Sequence, residues 1–129
     1  MLELQIREAS RANAGLLLPL SEFLSRIEQH RPQLLQERLT LRSGAEAAGG
    51  PVTYAAERAA SANDIEVSAE LLAALRAGAE TFMDATLVSD DGTEFGVFDS
   101  TFLFVRGSRE LLDALLPAFA EARIESVRD

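Results

Sequence analysis

The stretch 82-FMDATLVSDDGTEFGVFDSTFLFVR-106 decides the fold. Two runs of aromatic and β-branched residues flank Asp90-Asp-Gly-Thr93. That tetrapeptide is turn chemistry, because short carboxylates bond to their own backbone and Gly92 accepts positive φ. Phe82 to Ser89 therefore reads as one strand and Phe95 to Val105 as a second, longer one. Side chains alternate along a strand, so Phe95, Val97, Leu103 and Val105 share one face, and Phe98, Phe102 and Phe104 share the other. Both faces are apolar, as in a central strand covered on both sides or a strand carrying a bulge. The apolar run breaks at Asp99-Ser100, where the bulge is expected.

Outward from this hairpin, Leu2-Glu-Leu-Gln-Ile6 alternates as a half-buried strand does. Residues 9–15 read as a loop. Leu20, Phe23, Leu24 and Ile27 have helical spacing, with Ser21 as the expected cap and Pro32 as the stop. A turn over 33–37 and a short strand at Leu39-Thr-Leu41 follow. Ser43 to Pro51 reads as a loop, and 52–62 fits strand and helix equally. Ile65-Glu-Val67 suggests a short strand. Ser68 starts a helix carrying Leu71, Leu72 and Leu75, which Gly78 ends. Ser108 caps another, carrying Leu111, Leu112, Leu115, Leu116 and Phe119, which Pro117 kinks or splits. Ile124-Glu-Ser-Val127 suggests a last strand. The expectation is a single α+β domain over 1–129, an antiparallel sheet with helices packed on one face. The element order over 64–127 suits a split β-α-β, ferredoxin-like arrangement.

A chain of 129 residues with 47% hydrophobic and 26% charged residues is long and apolar enough to bury a core without staples. It contains no cysteine, which excludes disulfides, thiolate nucleophiles and Cys-ligated metals. All twelve basic residues are arginine, so a lysine Schiff base and a P-loop lysine are excluded too. No basic segment followed by an apolar run opens the chain, and a cytoplasmic protein is expected. The net charge of −9 is uneven. Residues 1–43 hold six arginines and five carboxylates, whereas 44–129 hold six arginines and sixteen carboxylates. Such a field repels nucleic acid and attracts a basic protein. The carboxylates expected to meet that partner are Asp84, Asp90, Asp91, Glu94 and Asp99, all on or beside the hairpin. The bland account of the same charge is solubility.

Asp99 interrupts an apolar strand, so it needs a hydrogen-bonding or ionic partner. Asp84 and Asp99 are symmetric about the turn and can approach across the hairpin, where two carboxylates share a proton or a cation, or repel. The alternation of acidic ligands that a calcium loop needs is missing at Asp90-Asp91. His30, the only histidine, sits near a helix end and lacks the partners of a triad or metal site. No glycine-rich phosphate loop is present. These absences point to a non-enzymatic protein without a cofactor, binding a basic protein partner and neither nucleic acid nor membrane. In size, acidity and α+β architecture the chain resembles, as a class, small immunity proteins and secretion chaperones; no motif carries the likeness. The alternatives are a small-molecule-sensing or regulatory domain, dimeric through its sheet or helices, and a metal-dependent or carboxylate-based enzyme.

Overall fold

The computed structural model describes residues 1–10, 15–48, 63–78 and 81–127. The ambiguous segment 52–62 lies outside them. The strands are β1 (Leu2–Ile6), β2 (Leu39–Leu41), β3 (Glu46–Ala48), β4 (Ile65–Glu66), β5 (Thr81–Ser89), β6 (Glu94–Phe98), β7 (Phe102–Arg106) and β8 (Ala122–Ser126). The helices are α1 (Leu20–His30), α2 (Gln33–Gln36), α3 (Ala69–Ala77) and α4 (Arg109–Leu115), the last continued by a 3₁₀ turn over Leu116–Ala118. The fold is α+β, with an antiparallel sheet in the order β4-β2-β5-β6-β7-β1-β8; β3 also pairs with β5. Among the described residues, no helix is long and apolar enough to cross a membrane.

Local chemistry sets most element ends. Ser68 and Ser108 each accept a hydrogen bond from the backbone N–H three residues on, at Leu71 (3.0 Å) and Leu111 (3.2 Å). Gly78 ends α3 in the left-handed conformation, φ 72°. Pro117 cannot donate, so α4 stops at Leu115 and tightens into the 3₁₀ turn. Ser21 is not the cap of α1. The helix begins one residue earlier, after extended Pro19, with no side-chain cap bond.

The strand expected over 95–105 is two strands. Asp99 and Ser100 both have positive φ (46° and 54°), and Thr101 N–H bonds to Phe98 O at 2.8 Å. The chain therefore turns back with Phe98 opposite Phe102, and Asp99 sits at an exposed hairpin tip rather than inside a strand. Strand order departs from the ferredoxin-like arrangement, because β2 stands between β4 and β5. The meander β5-β6-β7 fills the middle of the sheet, and β1 takes the place between β7 and β8.

The segment expected as a loop after Ser43 contains β3. It runs along β5 just beyond β2, so β2 and β3 lie in line on the same side of β5, with β4 covering the outer side of β2. Glu46 faces Asp84 and Ala47 faces Phe82, so Met83 is the extra residue of a β-bulge in β5. The bulge resets the alternation and turns Phe82 into the core.

The core lies between the helices and one sheet face. Leu4, Ile6, Leu39, Leu41, Leu87, Phe95, Val97, Leu103 and Val105 meet Phe23, Leu24 and Ile27 of α1 and Leu112 and Leu115 of α4. Phe104 is 1% exposed yet stands outside this cluster, on the opposite face.

Candidate functional site

The face opposite the helices carries a chain of charged hydrogen bonds. Cross-strand register sets Glu94 opposite Arg106, and Arg106 opposite Glu3. Arg106 Nε donates to Glu3 at 2.5 Å and its Nη1 to Glu94 at 3.2 Å, while Arg42 donates to Glu94 at 3.0 Å. Gln5 donates to Glu3 (2.7 Å) and Arg7 to Gln5 (2.9 Å). Glu3 is 2% exposed, and these donors meet the need of a buried carboxylate for partners. The guanidinium of Arg106 lies over the Phe104 ring at 4.4 Å, and that of Arg7 over Phe102 at 4.8 Å. Sequence alternation read this aromatic row correctly as a second apolar face. Arg106 reaches the Phe104 ring from two residues along the same strand, whereas Arg7 follows β1, remote in sequence, and no local signal pairs it with Phe102.

The five candidate carboxylates do not form one surface. Asp90 and Asp91 lie at the β5–β6 turn. Asp84 and Asp99 lie at the other end of β5 and β6, about 20 Å away at the rise of a strand. Glu94 belongs to the arginine chain just described. Asp91 is structural: it accepts from Ser89 Oγ at 2.5 Å and from Thr93 N–H at 3.0 Å. These bonds, the Ser89 hydroxyl first, hold its pKa below the usual aspartate value. Beside it a cleft of about 410 Å³ is spanned by the Arg31–Glu110 ion pair (2.9 Å).

Asp84 and Asp99 do come together. The contact is not between two carboxylates. Asp99 N–H donates to Asp84 Oδ1 at 2.8 Å, and Ser100 N–H donates to the carbonyl of bulge residue Met83 at 2.8 Å. The bulge thus supplies the acceptors that pin the β6–β7 tip. Around the tip stand exposed apolar side chains: Phe98 (50% exposed), stacked on Phe102 at 5.3 Å, and Met83 (41%). On the helix side an apolar cleft of about 310 Å³ opens between Leu16, Leu18, Phe82, Val97, Ser100 and Leu103. Leu16, 61% exposed, forms its rim.

Comparison with known proteins finds no matching family model, curated relative or solved structure. His30 Nδ1 lies 3.0 Å from Arg26 O of its own helix, a helix-end contact. Among the described residues no group of three His, Asp or Glu side chains is placed to hold a metal ion.

A second polar cluster joins β1 to α1. Arg26 forms two 2.7 Å bonds to the Glu8 carboxylate and one to Glu22 at 3.0 Å, and Ala120 N–H donates to Glu8 at 2.6 Å. The Arg26 bonds, first, hold the Glu8 pKa below its ordinary value against the opposing effect of burial. Because the folded value is depressed, this contribution is complete above the unfolded value of about 4.3 and is lost as pH falls through the folded one. Glu8→Gln is expected to lower stability by about 2 kcal/mol at pH 7. In urea titrations, the gap to the unsubstituted protein should narrow below about pH 4. A gap that is constant with pH contradicts the assignment.

Proposed function

We propose that the chain is a non-enzymatic, cytoplasmic interaction module that binds a basic protein partner through the β6–β7 tip. One observation carries this: Phe98 and Met83 stand exposed at a tip that bears the carboxylates Asp84 and Asp99, and on the helix side of the same tip Leu16 rims an apolar cleft that reaches Ser100. Exposed apolar groups rimmed by like charge suit a partner that offers an apolar side chain flanked by arginine or lysine. The apolar anchor supplies affinity, and the carboxylates supply steering and selectivity. The tip is held by backbone bonds to the bulge, so it is preorganised and little ordering accompanies binding.

Affinity capture from lysate of the source cells, quantified by mass spectrometry, tests the proposal. Phe98→Ala is expected to reduce capture of a basic partner at least tenfold. Asp99→Asn should weaken it in a manner that added salt masks. Asp90→Asn, at the far end of the hairpin, should leave it unchanged. A captured set that is indifferent to Phe98 and Asp99, or that lacks basic proteins, overturns the proposal.

A further inference from the structure

The edge of the sheet at β8 carries an inference independent of the tip. Among the described residues, β8 pairs with β1 alone. Arg7 N–H donates to Glu121 O (2.7 Å) and Val127 N–H to Met1 O (2.9 Å). These bonds fix the phase of the ladder. Residues 121, 123, 125 and 127 turn their backbone groups to β1, so Ala122, Ile124 and Ser126 direct theirs to the open edge. A strand added there must match that phase.

We propose that this strand is β8 of a second copy, antiparallel, with the two-fold axis at Ile124. Ile124 then exchanges both backbone bonds with its counterpart, and Ala122 pairs with the second copy's Ser126. Arg123 falls opposite the second copy's Glu125, and Glu125 opposite its Arg123. Both are non-hydrogen-bonded positions, where facing side chains come closest. The nearest registers that keep the phase set Arg123 against Arg123, or Glu125 against Glu125. Charge therefore selects the centred register. The pairing also meets a need within one copy. Glu125 stands directly opposite Glu3 across β1, an unfavourable pairing for like charges. Its partner is Arg123 of its own strand, at 2.7 Å. The second copy supplies another guanidinium and closes a four-charge cluster. Charged residues on an edge strand ordinarily repel foreign strands, and here they admit this one.

Each copy carries a net charge of −9, which opposes association, so the test is run at about 0.15 M salt. In sedimentation velocity over a rising concentration series, the mass is expected to climb from 14.0 kDa toward twice that. Arg123→Glu and Glu125→Arg each convert both opposite-charge pairs to like pairs, and each should weaken association about tenfold or more. An equimolar mixture of the two variants should restore it, since the mixed dimer again sets opposite charges face to face. In the unsubstituted protein, amide exchange at Ala122, Ile124 and Ser126 should slow as concentration rises, while Arg123 and Glu125 stay constant. A mass of 14.0 kDa throughout overturns the proposal. So does association that survives both reversals, a mixture of folded variants that does not recover, or an Ile124 amide indifferent to concentration.

Discussion

Gly96→Ala is expected to cost at least about 3 kcal/mol, a fall in Tm of roughly 10 °C for a domain of this size. Gly96 lies in β6 opposite Thr86 and Phe104. A Cβ placed there meets the carbonyl oxygen of Ala85 at 1.9 Å, its carbon at 2.9 Å and Thr86 Cα at 3.2 Å. All three are backbone atoms in the central pair of strands, so no rotamer change relieves the overlap, and β5 and β6 must separate. The same bareness leaves room for the Phe104 ring across the ladder, an arrangement in which an aromatic neighbour covers a strand glycine. Calorimetry reads the effect. A Tm within about 2 °C of the unsubstituted protein would show that the strands yield at little cost.

Phe23→Ala is the second large effect, at about 3–5 kcal/mol. The Phe23 ring is fully buried on α1 and meets Phe119 at 5.8 Å, tilted by 42°. One turn further along α1, Arg26 lies over the Phe119 ring at 5.5 Å and grips Glu8. Loss of the Phe23 ring therefore leaves a cavity and loosens the stacking that orders the segment after the 3₁₀ turn. The urea midpoint should fall with an unchanged slope. The double variant with Phe119→Ala should be less unstable than the two single effects added, because the residues share one contact. Strict additivity would show that the two rings act independently.

Local chemistry was legible in the sequence. Ser68, Gly78, Ser108 and Pro117 each act through groups within four residues, and each acts as expected. Glu46-Ala-Ala48 was not legible as a strand, because nothing in those residues favours one; the unsatisfied edge of β5 supplies the partner. Asp99-Ser100 lacks the glycine that marks a tight hairpin, so a turn with two positive φ values read as a bulge. The actual bulge falls at Met83, where an ordinary apolar residue gives no signal.

The candidate site was half legible. Symmetry about the β5–β6 turn brought Asp84 and Asp99 together on paper, and they are together in the fold. Their chemistry differs from a dyad, because a backbone N–H, unrecorded by side-chain identity, is the donor. Phe98 shares the second apolar face yet is exposed, because alternation assigns a face without saying what covers it. Charge clustering along the sequence likewise merged Asp90 and Asp91 with Asp84 and Asp99, although a straight strand holds them at opposite ends.

The position of β1 bears on how the chain is made. Among the described residues, residues 2–6 find their strand neighbours only in Phe102–Arg106 and Ala122–Ser126. During synthesis, at roughly 5–20 residues per second, the first strand emerges and waits several seconds for both its flanks. Through that interval Leu2, Leu4 and Ile6 have no native sheet to enter. The meander β5-β6-β7 is the earliest template available to them, and β8, made later still, seals β1 into the sheet.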